Sequence, residues 1–258
     1  SSAEVGKLYG NGAGEIACAY TSTTDNVAYP IANTAYYKLD NNSKDSARST
    51  GKFNEGAMFN GSSSYISIPQ GNLPVGASAR TVSLWIKTTQ TASAELFGYG
   101  VDGTNLYYAL TLNASSGKVG TAFYANDHNF TASVIDGNWH HIVSVYNGNI
   151  LEMYVDGNSV GSSTIGAVNT GSGGTPKIGK YNYTGDIDQV RIYNTALDST
   201  DVSNLYAETV GDTSTLSFPS GETAIATYQL DGNSTDLSGN YNGTDTNITY
   251  AYDGTEAN

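Results

Sequence analysis

The sequence of 258 residues is poor in charged residues, and most of those it has are acidic. Lys and Arg number 11 against 24 Asp and Glu, which gives a net charge of -13. Charged residues make up 14% of the chain, compared with about 25% in an average globular domain. Because nucleic acids and anionic membranes attract clusters of Lys and Arg, and the sequence has no such cluster, neither is expected as a partner.

Cysteines and long apolar runs are scarce as well. Cys18 is the only cysteine, so no intrachain disulfide can form. No apolar run approaches the roughly 20 residues of a membrane-spanning helix, so membrane insertion is not expected. The sequence is instead rich in Ser, Thr, Asn, Gly and Tyr, with 30 glycines and 20 tyrosines. This composition is typical of a β-rich extracellular protein.

Short runs of β-branched and aromatic residues between Gly, Asn and Asp turns predict an all-β fold. Val82, Leu84 and Ile86 alternate in the way of a half-buried strand. Asn147-Gly148 predicts a hairpin of type I′, which needs positive φ at both positions. The predicted strands are Tyr65–Pro69, Arg80–Thr88, Leu106–Leu112, Lys118–Ala125, Trp139–Tyr146, Asn149–Val155, Lys177–Lys180 and Asp186–Tyr193, with one short helix at Ser199–Ala207.

An internal repeat divides the chain. Residues 37–45 read YKLDNNSKD and residues 228–236 read YQLDGNSTD, while VGKLYG at 5–10 is echoed by VSNLYA at 202–207. We interpret the chain as part of a tandem array. Residues 1–30 are then the end of a preceding repeat plus a linker, 31–208 a complete domain, 209–223 a linker and 224–258 the start of a following repeat. Strands are expected at Ala226–Leu230 and Ile248–Ala251, either folded back onto the domain or added to an adjacent subunit of an assembly.

The complete domain resembles the laminin-G-like domains of the concanavalin A-like lectin and glucanase superfamily. The segments that carry the resemblance are YKLD, GAMFNGSSSYISIP, RTVSLWIKT, DGNWHHIVSVYNGNILEMYVDG, PKIG and GDIDQVRIYNTALDSTDVSNLY, in that order. The resemblance implies a jelly-roll sandwich of two antiparallel sheets. FNGSSSYI at 59–66 and the C-terminal NYNGTDTNITYAYDGTEAN also resemble tandem repeats in structural proteins of marine bacteriophages.

The resemblance also implies a structural Ca²⁺ where the start and the end of the domain meet. Asp188 of GDIDQV matches the aspartate that the closing strand contributes, and Asp40 and Asp45 lie in the opening loop. Such oxygen ligands suit Ca²⁺. The alternative is that these aspartates only cap backbone N–H groups of turns.

Sugar recognition combines aromatic platforms with amide or carboxylate acceptors. The candidates are Tyr99, Tyr107, Tyr108, Tyr124, Asn126, Asp127 and His128. The alternative is that these tyrosines merely fill the β surface.

Catalysis is not expected. A retaining glucanase needs two carboxylates about 5 Å apart, and the E-x-D-x-x-E pattern of the superfamily's enzymes is missing. We therefore expect a non-catalytic attachment domain of a virion-surface or extracellular protein. The alternatives are a lectin module of a secreted bacterial protein or surface filament and, third, a glucanase-like enzyme.

Overall fold

The structure is a computed structural model, which describes residues 51–53, 55–113, 117–124, 126–208 and 223–252. These residues form fifteen strands and one helix. The elements are β1 (Glu55–Asn60), β2 (Tyr65–Ser67), β3 (Arg80–Lys87), β4 (Ala94–Gly100), β5 (Tyr107–Leu112), β6 (Lys118–Ala122), β7 (His128–Ser133), β8 (Trp139–Tyr146), β9 (Ile150–Val155), β10 (Asn158–Thr164), β11 (Lys177–Lys180), β12 (Thr184–Tyr193), α1 (Ser199–Tyr206), β13 (Ala226–Tyr228), β14 (Thr244–Thr246) and β15 (Thr249–Tyr252).

The strands form two antiparallel sheets. The first has the order β10-β9-β8-β3-β12-β1-β15, with β13 also paired to β12, and the second has the order β14-β2-β11-β4-β5-β6-β7. The alternating apolar residues of each sheet meet between the two layers, where Val82, Leu84 and Ile86 are fully buried. The predicted all-β jelly-roll sandwich with one short helix is confirmed.

The helix α1 packs on the opposite face of the first sheet. Its buried residues Val202 and Leu205 contact a second apolar cluster that includes Val143 and Tyr193. Asp198 caps the N-terminus by accepting hydrogen bonds from the backbone N–H groups of the first turn. No helix within the described ranges is long and apolar enough to cross a membrane.

The hairpin between β8 and β9 differs from the expected type I′ turn. Gly148 has φ 99°, but Asn147 is not among the residues with positive φ. The Asn147 side chain instead accepts hydrogen bonds from the backbone N–H groups of Asn149 and Ile150. Asn stabilises this turn through its amide oxygen, so the predicted backbone geometry was wrong although the hairpin is present.

The C-terminal strands belong to the same sandwich. β13 pairs with β12, β14 with β2 and β15 with β1, so residues 226–252 contribute to both sheets. This pairing is the first of the two arrangements expected for these strands, folded back onto the domain, while the division into a complete domain at 31–208 and a following repeat at 224–258 remains a prediction. The physical reason for the pairing is that the exposed edges of β1, β2 and β12 offer N–H and C=O groups, which these strands satisfy. The segment 1–50 lies outside the described residues.

Candidate functional site

A cavity of about 290 Å³ lies on the outer face of the second sheet. On β5, Tyr108 and Leu110 point into the core, so the alternate residues of this strand point outward. The lining residues are mostly polar: Ser93, Ala94, Glu95, Thr111, Leu112, Asn113, Thr121, Ala122, Asp127, Asn129 and Tyr181. We call this cavity the groove.

Strand register brings the polar residues of the groove together. Lys180 of β11 is opposite Glu95 of β4, which is opposite Thr111 of β5. Thr111 is in turn opposite Gly120 of β6, and Gly120 is opposite Asn129 of β7. These residues form one row across five strands, because directly paired residues share a face of a sheet.

Two glycines next to residues of the groove leave room for its polar side chains. A Cβ atom at Gly120 would lie 2.6 Å from Asn129 Oδ1 and 3.1 Å from Thr111 Oγ1. A Cβ atom at Gly98 would lie 2.8 Å from Glu95 Oε2. Larger residues at these positions would displace the side chains that line the groove.

Glu95 is held by a short chain of hydrogen bonds. Tyr107 Oη donates to Glu95 Oε2 at 2.7 Å, and Lys180 Nζ donates to Tyr107 Oη at 3.0 Å. Burial raises the pKa of Glu95, while the bond from Tyr107 and the charge of Lys180 oppose this shift. The chain fixes the direction of the Glu95 carboxyl group, which suits it to accept a hydrogen bond from a ligand hydroxyl.

Tyr181 provides an aromatic surface beside this row. Its side chain is 56% exposed, and Lys180 Nζ lies 4.1 Å from the centroid of its ring. Tyr181 and Asn182 both have positive φ, 48° and 64°, a left-handed conformation that is uncommon for residues other than glycine. Such backbone geometry is found preferentially at functional sites, and here it carries a large ring next to the groove.

Asp127 supplies the carboxylate on the other side of the groove. Its Oδ1 accepts a hydrogen bond from the backbone N–H of Phe123 at 3.0 Å. Next to it, Asn126 Nδ2 donates to Asn105 Oδ1 at 3.0 Å, and the His128 ring contacts Asn126 Oδ1 at 3.2 Å. These hydrogen bonds orient the side chains of Asp127 and Asn126.

The predicted sugar-binding residues separate into three groups. Asp127 lines the groove, and Tyr107 supports it through Glu95. Tyr124 is 50% exposed and, like Asn126 and His128, does not line the groove. Tyr99 and Tyr108 are core residues, 1% and 0% exposed, so burial prevents them from stacking on a sugar.

Tyr99 and Tyr108, together with Tyr146, lie around the buried cation of Arg80. Arg80 lies beneath the rings of Tyr99, Tyr108 and Tyr146, with its guanidinium carbon 5.4–5.9 Å from the three centroids. Arg80 Nη1 donates to Tyr99 Oη at 3.0 Å, and Tyr99 Oη donates to the carbonyl oxygen of Pro74 at 2.8 Å. These tyrosines therefore stabilise the core.

Asp188, the predicted calcium ligand from the closing strand, lies fully buried in β12. Its Oδ2 accepts a hydrogen bond from the backbone N–H of Phe53, and its Oδ1 accepts one from that of Gln189. Burial raises the pKa of Asp188 well above its usual range, and the charge of Asp231 adds to the shift, whereas these backbone bonds oppose it. Asp40 and Asp45 lie outside the described residues. Among those described, no three His, Cys, Asp or Glu side chains are grouped so as to hold a metal ion.

Sequence reasoning missed Glu95, Thr111, Asn129 and Tyr181 as groove residues. In the sequence, Glu95 is an isolated carboxylate within AELFGYG. The sequence gives no register between strands and no sign of the positive φ at Tyr181. No local motif could therefore have identified the row.

Comparison with known families gives one match. A family model of the laminin-G type, described as the concanavalin A-like lectin/glucanases superfamily, matches residues 60–203, which is more than half of the chain. No curated protein sequence gives a match.

Two solved structures illustrate the likeness of fold. A putative carbohydrate binding protein from Bacteroides ovatus has a TM-score of 0.57 and 19% identity, with 77% of this chain and 60% of that chain covered. The alignment thus spans less than two thirds of that protein. Domain 4 of AbnA, a GH43 extracellular arabinanase from Geobacillus stearothermophilus determined in complex with arabinotriose, has a TM-score of 0.52 and 24% identity, with 61% of this chain and 79% of that domain covered.

Proposed function

The chain belongs to the laminin-G-like family of the concanavalin A-like lectin and glucanase superfamily, and we propose that it is an extracellular, non-catalytic carbohydrate-binding module whose ligand lies in the groove. The names of the Bacteroides ovatus protein and of the arabinanase domain's complex agree with this class of ligand. The proposal rests on the residues of the groove itself.

One observation carries the proposal: an exposed aromatic ring and several hydrogen-bonding groups line the same cavity. Tyr181 offers a ring face, on which the apolar face of a sugar can pack. Glu95 and Asp127 offer carboxylate acceptors, and Asn129 offers an amide. A few fixed polar groups beside an aromatic surface are characteristic of small-ligand sites.

The test is a comparison of two exposed tyrosines. Tyr181 and Tyr124 are 56% and 50% exposed and have φ of 48° and 58°, but only Tyr181 lines the groove. A glycan found by array screening should bind Tyr181→Ala about two- to tenfold more weakly, because one lost stacking contact is worth roughly 0.5–1.5 kcal/mol. Calorimetry should give Tyr124→Ala the same affinity for this glycan as the wild type.

A third variant tests the cavity rather than the ring. Ala122 lines the groove and is partly exposed, so Ala122→Trp should fill the groove and abolish binding while the melting temperature changes little. Equal affinity of Ala122→Trp and wild type would place the ligand elsewhere.

Hydrolysis is the second candidate, because two carboxylates line one cavity. Glu95 has a raised pKa, as a general acid requires, and Asp127 lies in the same groove. A reducing-sugar assay on the bound glycan separates the two functions. Release of reducing ends that Glu95→Gln eliminates would identify an enzyme, whereas binding without release supports the module.

Attachment within a virion-surface or other extracellular assembly is the finer form of the proposal. It is supported by the acidic composition, the internal repeat and the resemblance of the C-terminal segment to phage structural proteins. Mass spectrometry of purified particles or surface filaments should detect this chain together with the other subunits of the assembly. Detection only as a free secreted protein would favour a lectin module of a secreted protein.

A further inference from the structure

The groove carries negative charge without a cation in its lining. Among its described lining residues, Glu95 and Asp127 are carboxylates, and none is Lys, Arg or His. Within the described part of the chain, neither carboxylate forms an ion pair with a cationic side chain. The net charge of the whole chain is -13, so the field of the protein does not supply the missing positive charge.

Lys180 is the cation whose charge acts on Glu95, but it does not line the groove. Its Nζ donates to Tyr107 Oη at 3.0 Å and lies 4.1 Å from the centroid of the Tyr181 ring. Tyr107 Oη donates in turn to Glu95 Oε2, so Lys180 is linked to Glu95 through a hydroxyl group. The charge of Asp102 acts on Glu95 in the opposite direction to that of Lys180. The groove therefore keeps a surplus of negative charge.

The Glu95 carboxyl group is partly withdrawn from water and has an oxygen to offer. Burial is the largest cause of its raised pKa. Its Oε2 accepts the bond from Tyr107, and no hydrogen bond from the described residues reaches Oε1. A carboxylate in such surroundings is stabilised by a cation that donates a charge-assisted hydrogen bond to it.

The two carboxylates lie on opposite sides of the groove. Glu95 is in β4 and Asp127 directly precedes β7, with β5 and β6 between them. Three strand spacings separate β4 from β7, about 14 Å between the backbones. Tyr181 follows β11, the neighbour of β4, and so adjoins the Glu95 side. A ligand that meets both carboxylates is therefore longer than one sugar residue.

We propose that the ligand of the groove is an oligosaccharide of amino sugars with free, protonated amines, and that the groove discriminates against acidic glycans. This inference rests on the proposed function, because it assigns a substrate class to the same cavity. Ammonium groups of the ligand donate to Glu95 and Asp127, while a sugar ring packs on Tyr181. A glycan carboxylate or sulfate would instead meet two like charges, which disfavours an acidic ligand.

Calorimetry with three tetrasaccharides tests this class of ligand. They share one backbone and differ in a single substituent of each sugar, which is an amine in the glucosamine oligomer, an acetamide in the N-acetylglucosamine oligomer and a hydroxyl in the glucose oligomer. Below the pKa of the amine, the glucosamine oligomer should bind at least about tenfold more tightly than the other two, because charge-assisted hydrogen bonds are the stronger ones. Added salt should weaken the binding of this oligomer alone.

Charge-removing variants identify the carboxylates responsible. Glu95→Gln and Asp127→Asn keep an acceptor for Tyr107 Oη and for the backbone N–H of Phe123 but remove the charges. Each variant should lower the preference for the glucosamine oligomer, and the double variant should abolish it. Glu152→Gln, in β9 of the other sheet, is the matched control and should keep the wild-type preference. An unchanged preference in the double variant would overturn the inference.

The amine class and the proposed function fail in different ways. If a neutral or acidic glycan binds as tightly as the glucosamine oligomer, and Tyr181→Ala weakens that binding, the groove is a glycan site and the amine class is wrong. If no tetrasaccharide and no glycan of an array binds the wild-type protein, the proposed function and the amine class are both wrong.

Discussion

Tyrosines of this chain have different roles that a sequence cannot separate. Tyr99 and Tyr181 have the same side chain, yet Tyr99 is 1% exposed and bonded to Arg80, whereas Tyr181 is 56% exposed beside the groove. Alternation along a strand indicates which residues share a face, but not which face is covered. The predicted set thus combines Asp127, which lines the groove, with Tyr99 and Tyr108, which the fold buries in the core.

Removing the hydroxyl group of Tyr99 should destabilise the fold and leave glycan binding intact. Tyr99→Phe leaves the buried carbonyl of Pro74 without its donor and Arg80 with one acceptor fewer, at a cost of about 1–3 kcal/mol. Urea denaturation measures this loss. Tyr124→Phe, at a half-exposed tyrosine, should change stability by less than about 0.5 kcal/mol. Similar losses in the two variants would contradict the role of the Arg80 contact.

His140 gives the β8–β9 hairpin a dependence on pH. Its Nδ1 contacts Asp156 Oδ2 at 2.7 Å, and its Nε2 contacts Asp136 Oδ1 at 3.0 Å. Burial lowers the pKa of His140, but the hydrogen bonds and charges of the two aspartates outweigh this effect and raise it above the ordinary value. The pKa of Asp136 is lowered to about 2, mainly by hydrogen bonds from Asn138, so this carboxylate stays charged near neutral pH.

Because the folded-state pKa of His140 exceeds the unfolded value, its contribution to stability is complete below about pH 6.5 and is lost as pH rises through the folded pKa. The difference in unfolding free energy between wild type and His140→Gln should therefore shrink, by about 0.5–1 kcal/mol, from about pH 5.5 to about pH 8.5. Urea titrations at the two pH values measure it. A difference that is constant or grows with pH would exclude this ion pair as the cause.

At the scale of elements, prediction succeeded where residues alternate into the core. Trp139–Tyr146 was predicted with its observed bounds, and the helix to within one residue. The interior strands β1 and β4 were nevertheless not predicted. The edge strands β7, β10 and β14 were missed as well, and β10 is a Ser- and Gly-containing strand with no buried residue. An edge strand is held mainly by backbone hydrogen bonds to its one neighbouring strand. Because these bonds do not depend on a pattern of apolar side chains, the sequence does not reveal them.

The groove was beyond sequence prediction for a related reason. Its row joins β11, β4, β5, β6 and β7, and the pairing of β4 with β5 includes an irregularity between Glu95 and Phe97. A shift of one residue would turn Glu95 to the other face. Register in this sheet is set by packing of the whole sandwich, so the site follows from the fold.

At the scale of the whole molecule, β1 and β13, which are far apart in the sequence, both pair with β12. Asp188 in this strand binds the backbone N–H of Phe53, just before β1, and its charge interacts with that of Asp231 after β13. Two carboxylates close to one another repel, and a cation would relieve this repulsion. The calcium site predicted from Asp40, Asp45 and Asp188 therefore remains our proposal for this junction.

Calcium binding at the junction should appear as a difference in melting temperature between protein in Ca²⁺ and protein in EDTA. An ion that binds only the folded state at a hundredfold excess over Kd adds about 2.7 kcal/mol. The variant Asp188→Asn should remove the difference, whereas Asp136→Asn, at an exposed aspartate of another loop, should retain it. Calorimetric scans of the three proteins provide the measurement. If the wild-type curves in Ca²⁺ and EDTA coincide, Asp188 acts only through its hydrogen bonds to the backbone of Phe53 and Gln189.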